Sequence, residues 1–538
     1  MKAGDDMPQR QRPLAGTGGL IRLILRRDRI RIPLWIFAVV GFTVSFLPSL
    51  TDLFPDERSR QARAALIENP ATLAMTGPGY GIDDYTYGAM VSQEFFLYSA
   101  LIVAFMSVLL IVRHTRAEEE TGRAELIRAA AVGRHAGLAA AVTVVVAVNL
   151  VIAALLTLLM PATLDALPVY STFVFACALA SVGIAFTGVG VFAAQLTYSS
   201  RAANGYAVLA IGIAVVARAV GDASYEWLSW LSPIGWAQQT APYVHDRWWP
   251  LAIAVGFGLF MLIAATRMAR LRDLGAGMMA PRVGPKQAST LLRGPFSLAW
   301  KLQSGAFIAW TCGLVLFACL YGSLAPEIQD FVDTNEFAQQ MLAGEADPLA
   351  GFISMIVVML ALLAGGYVLQ STLRMRGEET AARAEPLLAA AVPRWAYAAS
   401  HLAPSLLGGP VMLMAATAVL GATTGATTGE WGMFGEVIAA ATVYIPVLWL
   451  LSAGACALFG WAPKLIHLVW IVLAYGATIS LLGMLLDLPD WAFDLSIFEH
   501  PPQWPDEDLT LSVPLVMTAG ALVLCVIGII GFRRRDTA

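Results

Sequence analysis

Apolar residues run along this chain in blocks of about 20, divided by short polar segments, and blocks of that length match the hydrocarbon thickness of a bilayer. Six spans are expected near 33–53, 95–112, 137–160, 170–196, 203–220 and 248–268. Six more are expected near 305–325, 351–373, 397–422, 433–458, 465–486 and 511–532. Ahead of the first block, LIRLILRRDRIRI at 20–32 sets apolar positions at helical spacing with arginines between them, which predicts an amphipathic helix lying on the membrane surface. The first span is too long for a cleaved signal and is read as retained. Segments 57–75 and 327–342 have helical potential outside the spans and are expected to form a small external cap.

The polar segments carry the orientation. With the N-terminus assigned to the cytoplasm, 29 of the 34 Arg and Lys residues fall in inner segments, leaving only Arg58, Arg60, Arg63, Arg218 and Arg247 outside. One span too many or too few would move every later segment across the membrane and destroy that bias. The count of about 12 and the cytoplasmic placing of both termini therefore support each other. Composition agrees: 58% hydrophobic and 13% charged residues with a mean hydropathy of +0.68 exclude a water-soluble core and shell. The chain is read as an all-α polytopic membrane protein. Its five cysteines lie inside apolar runs at spacings that suit neither a metal site nor a disulfide framework. Only four lysines accompany 30 arginines, a bias associated with GC-rich bacterial genomes and hence with a bacterial plasma membrane.

One polar segment occurs twice. RAEEETGRAELIRAAAVGR at 116–134 returns as RGEETAARAEPLLAAAVPR at 376–394, 260 positions on and without a gap. Six spans separate the copies, so both face the same side and the halves are related by an axis along the membrane normal. The expected organisation is an N-terminal segment 1–32, a six-helix half 33–270, a Gly- and Pro-bearing linker 271–295 and a second six-helix half 296–538. On one continuous helix, Glu118 and Glu125 would share a face two turns apart, as would Glu378 and Glu385. Glu119 with Arg123 and Glu379 with Arg383 would make ordinary i,i+4 pairs that merely solubilise a loop helix. Recurrence of the same side chains favours instead a surface that docks a partner with its own twofold.

At these residues the chain resembles the membrane subunits of ABC-2 type exporters, in particular the large actinobacterial two-halves-in-one-chain permeases associated with multidrug and polyketide-antibiotic (tetronasin-type) efflux. EEETGRAELIRAAAVGR and EETAARAEPLLAAAVPR resemble the family's E-E-x-x-G-x-x-E-x-L-x-x-x-P-V-x-R pattern, and LIRLILRRDRIRI and LSPIGWAQQTAP at 231–242 add to it. The resemblance implies a coupling helix in each half, with Glu118, Glu119, Arg123, Glu125 and Arg134, and Glu378, Glu379, Arg383, Glu385 and Arg394, touching a separate ATP-binding subunit. Gly133 stands where the pattern has proline, and Pro386 where the first copy has Leu126, so unequal contacts are expected. No G-x-x-x-x-G-K-[ST] phosphate loop occurs in the sequence, so ATP and Mg2+ are expected in two copies of that partner and no cofactor in this chain.

Polar groups in apolar runs are costly unless they face protein or water, which makes Glu94, Asn149, Gln195, Gln370 and His467 candidates for a translocation path and, equally, for interhelical contacts. The family likeness implies that spans 2 and 8 line the cavity, adding Phe95, Phe96, Tyr98 and Phe352. Aromatic walls suit an apolar, membrane-partitioned small molecule; lipid is the other expected contact, and no nucleic acid is. An ion-driven 12-span transporter is the alternative reading, disfavoured by the few carboxylates within spans. A membrane enzyme would need clustered histidines or paired carboxylates at membrane depth, which the six scattered histidines do not supply.

Overall fold

The computed structural model describes residues 13–535 except 66, 68–69, 130–131, 272–276, 280–286, 288, 291, 327–347, 391, 484–487 and 503–510. The whole of the second expected cap segment, 327–342, and much of the linker thus lie outside the described residues. The chain divides into two compact units, Met1–Gly284 and Pro285–Ala538, a boundary that falls within 271–295.

In the first unit, helix α1 (Thr17–Arg27) leads into α2 (Arg31–Ser45) and α3 (Leu47–Leu53). The expected single surface helix over 20–32 is thus interrupted. Asp28 closes α1, its backbone N–H on the Ile24 carbonyl, and its carboxylate is wholly buried rather than solvated. Short helices α4 (Glu57–Ala65) and α5 (Pro70–Thr76) follow. The long α6 (Tyr87–His114), the short pair α7 (Arg116–Glu120) and α8 (Arg123–Ala129), and the spans α9 (Ala136–Thr163), α10 (Val169–Leu196) and α11 (Ser200–Ala223) come next. After α12 (Glu226–Ser229) and α13 (Pro233–Gln238), the span α14 (Trp249–Leu271) ends the unit.

α10 is the axle of this unit, packing against α6, α9, α11 and α14. Its run of Gly, Ala, Ser and Thr lets neighbours come close, as helix packing in lipid requires. A Cβ on Gly188 would lie 2.5 Å from the Gly258 carbonyl oxygen of α14, and one on Gly258 2.8 Å from that of Ile184. At the end of the bundle away from α7, Arg63 pairs with Glu94 at 2.8 Å, and the guanidinium of Arg60 lies over the Tyr87 ring at 4.6 Å, so α4 is fastened onto α6.

The second unit repeats the order: α15 (Pro295–Gly322), α16 (Pro348–Thr380), α17 (Glu385–Ala389), α18 (Arg394–Thr428), α19 (Gly432–Trp461), α20 (Val469–Leu482), α21 (Asp490–Asp494) and α22 (Ser512–Arg534). Its axle is α19, which packs on α16, α18 and α22 as α10 does on α6, α9 and α14. The glycine contact recurs: a Cβ on Gly460 would sit 2.2 Å from the Gly528 carbonyl oxygen, and one on Gly528 2.6 Å from the Cys456 backbone. Eleven described helices are long and apolar enough to span a membrane. The twelfth expected run, 465–486, differs. It opens on a 3-10 turn at Ile466–Leu468, and the α-helix that follows has 14 residues, about 21 Å at 1.5 Å per residue, against a hydrocarbon core of about 30 Å; residues 484–486 of the run lie outside the described residues.

Candidate functional site: the paired charged elements

In the first unit α6 breaks at Thr115, and α7 and α8 are joined through Gly122 in the left-handed region, φ 72°. In the second, α16 runs unbroken to Thr380 and the equivalent position, Ala382, is also left-handed at φ 54°. The turn ends the helix between the two acidic pairs. Glu118 and Glu125 therefore do not share the face of one helix, and neither do Glu378 and Glu385. The expected i,i+4 pairs also give way to i,i+3 pairs: Arg116 Nη1 donates to Glu119 at 2.7 Å, and Arg376 Nη1 to Glu379 at 2.7 Å. This internal pair, followed three residues later by a left-handed turn, is the structural form of the sequence repeat.

Each element is tied to its own unit by different groups. In the first, Arg27 of α1 pairs with Glu118. Beside it the Asp28 carboxylate receives Arg113 Nη2 at 3.2 Å and contacts His114 Nε2 at 2.7 Å. Burial works to raise the Asp28 pKa, but the hydrogen bond and charge of Arg113 together with His114 outweigh it and hold the carboxyl below its ordinary range. Glu120 accepts from the Ser200 backbone N–H at 2.9 Å and hydroxyl at 2.5 Å, placing a carboxylate at the N-terminus of α11. The exit segment is strapped as well: Gly133 N–H donates to Ala15 at 2.9 Å and His135 N–H to Pro13 at 3.0 Å.

The second element is tied from the other end of the sequence. Arg535, just past α22, pairs with Glu379 while its guanidinium lies 4.9 Å from the Phe459 ring and 5.6 Å from the Phe532 ring. Arg394 Nη1 donates to the Arg535 carbonyl at 2.6 Å. Glu378 meets Arg383 Nε at 3.0 Å and Arg374 Nε at 3.4 Å.

The predicted acids thus fall into two sets. Glu118, Glu119, Glu378 and Glu379 are partly or wholly buried and engaged within their units. Arg123, Glu125 and Arg134, and Arg383 and Glu385, are exposed, while Arg394 is half-buried. Leu126, beside Glu125, is 76% exposed, an apolar group that the charge pattern concealed. Arg27, Asp28, His114 and Arg535 were also missed; the one signal was Asp28, the lone acid of the basic segment 20–32.

A family model described as the C-terminal domain of the multidrug efflux system permease Rv1217c matches residues 292–533. The Mycobacterium tuberculosis (strain H37Rv) multidrug efflux system permease protein Rv1217c is 37% identical over 541 residues, covering 99% of this chain and 97% of that protein. The chain belongs to this efflux permease family. It is a multi-pass membrane permease, and the permease of an efflux system implies partner components.

The permease distributes its candidate path residues unevenly. Phe96 is buried edge-on to Phe175 at 5.4 Å, and Asn149 is buried with its amide donating to Ser107 Oγ at 3.1 Å and the Val145 carbonyl at 2.9 Å. A Cβ on Gly183 would collide with that carboxamide at 2.0 Å, so Asn149 fills the α9–α10 contact. Phe95 stacks on Phe46 at 6.1 Å, and Tyr98, exposed, lies 6.3 Å from Phe42. In the second unit Phe352 is half-buried, and exposed Gln370 accepts from Trp310 Nε1 at 2.7 Å. Glu94 is engaged by Arg63, Gln195 is buried near the α7 end of α10, and His467 is exposed in the 3-10 turn. Among the described residues no three His, Cys, Asp or Glu side chains gather to hold a metal. A polar centre not foreseen from the sequence is Arg218 near the far end of α11, wholly buried, 3.2 Å from Asp222 and bonded to the Ala74 carbonyl after α4.

Proposed function

We propose that this permease is the membrane subunit of an ATP-driven exporter of hydrophobic or amphipathic compounds, and that its two charged elements dock two copies of a separate ATP-binding subunit. The observation that carries the reading is the recurrence of one geometry in both units: the Arg–Glu pair at 2.7 Å and the left-handed residue three positions beyond its glutamate. A solvated loop has no reason to repeat a strained alanine where the other copy has glycine. In each element one face is engaged with the unit's own helices and the other leaves Arg123 and Glu125, or Glu385, in solvent, with Arg383 exposed beside its partner Glu378. Rigid attachment on one side and free charge on the other is what a transmitting contact needs, because movement imposed at the free face is delivered to the spans.

In this reading ATP and Mg2+ bind in the partner, whose closure pushes the elements and, through Arg27–Glu118 and Arg535–Glu379, tilts α1, α6, α16 and α22. The related permease's multidrug name supports a broad apolar cargo here. The test is reconstitution of the chain with its genomic-neighbour ATP-binding subunit in liposomes loaded with a fluorescent apolar amine. ATP-dependent extrusion that a proton gradient alone cannot drive is expected. Transport by the chain alone, driven by a gradient, would sink the proposal and leave an ion-driven transporter.

A further inference from the structure

A cavity of about 400 Å³ lies inside the first unit between α1, the end of α6 and the start of α9. One wall is a single face of α1, since Leu20, Leu23, Ile24 and Arg27 stand at i, i+3, i+4 and i+7, and the facing wall includes Leu138. Leu23 is 52% exposed, so this face is not closed by the unit's own packing. The polar end is lined by two arginines, Arg27 and Arg134, and two glutamates. Its carboxylates, Glu118 and Glu119, already face Arg27 and Arg116, while Arg134 at the rim is exposed, and Arg22 and Arg26 stand exposed elsewhere on α1. α1 ends three residues before α2 enters the apolar layer, which sets the cavity at headgroup depth.

We propose that this cavity holds one anionic phospholipid, its phosphate against Arg134 and an acyl chain between the Leu20–Leu23–Ile24 face and Leu138. The cytoplasmic-leaflet origin of that lipid rests on the orientation adopted under Proposed function; the binding itself does not. A phosphate whose headgroup carries no positive charge complements Arg134, whereas a choline headgroup brings a cation to the same rim. A lipid seated there bridges α1 to the strap at Gly133 and braces the first element; the site is one that membrane composition can regulate.

Native mass spectrometry of the purified full chain, titrated with phosphatidylglycerol or phosphatidylcholine, tests this without ATP or partner. One phosphatidylglycerol retained about tenfold more strongly than phosphatidylcholine is expected, equivalent to about 1.4 kcal/mol. Leu23→Trp, filling the cavity, and Arg134→Gln, removing the rim charge, should each lower retention severalfold. Leu25→Trp, off the cavity face, should leave it unchanged. Equal retention of the two lipids, or retention indifferent to both Leu23→Trp and Arg134→Gln, overturns the proposal. So does displacement of the bound anion by millimolar inorganic phosphate alone, which would make it a site for a soluble phosphate. Because the readout involves no transport, a failed exporter reading and a failed lipid site give separable results.

Discussion

The first and second charged elements are the same device mounted on different brackets. Both hold an Arg–Glu pair at 2.7 Å and both turn through a left-handed residue. The first is held by Arg27 and Asp28 near the N-terminus and by Ser200, the second by Arg535 near the C-terminus. What recurs in sequence is the device; what attaches it comes from segments that the repeat does not pair. The first element is also broken from its span at Thr115, whereas the second continues its span without interruption. A push on the second would be carried by continuous helix as well as by Arg535, and a push on the first by the turn at Thr115 and the ion pair to Arg27.

That contrast can be broken at graded strength. The largest effect is expected from Asp28→Ala, which leaves Arg113 and buried His114 without their carboxylate; loss of one partner of a buried pair costs about 3–5 kcal/mol. Thermal unfolding in detergent should show it, with protease nicking in 115–135 and not in 375–394. The same group has a pH signature. Its folded pKa lies below the ordinary 3.8, so its stabilisation is complete above that value and is lost as pH falls through the folded pKa. An acid-induced loosening of the first element below pH 3.8 is expected in the parent and absent in Asp28→Asn.

Arg535→Gln should come next. It removes a charged hydrogen bond worth about 1.5–3 kcal/mol while Arg376 still holds Glu379, so nicking should appear at the second element alone. Ala382→Gly should have a smaller effect of opposite sign. It relieves left-handed strain of about 1–2 kcal/mol, less the larger unfolded-state entropy of glycine, and should raise the melting temperature slightly; Gly122→Ala should lower it. The smallest change in stability, within about 0.5 kcal/mol, is expected for Glu125→Lys and Glu385→Lys, since both side chains are exposed.

Spans were legible because a bilayer needs a long unbroken apolar run, and the repeat because it is gapless. The limits of legibility are equally physical. The run at 465–486 has a span's composition, but its first turn is a 3-10 turn, which composition does not register. The faces of the charged elements were misjudged because helix periodicity was carried through Gly122 and Ala382, and an alanine gives no warning of a left-handed turn. Glu118 and Glu119 looked like surface acids because their partners, Arg27 and Arg116, could be matched to them only once the chain was folded. Asn149 stood out as costly in lipid, yet nothing local revealed Gly183, the notch that receives it.

The most direct test of the central claim is co-purification of the ATP-binding subunit with chains altered at the exposed residues only. Glu125→Lys with Arg123→Glu should leave one partner copy per chain, Glu385→Lys likewise one, and the combination none, all with parental melting temperatures. Two copies retained by the combined variant would contradict the account, because the solvent faces of the paired elements would then not be where the partner docks.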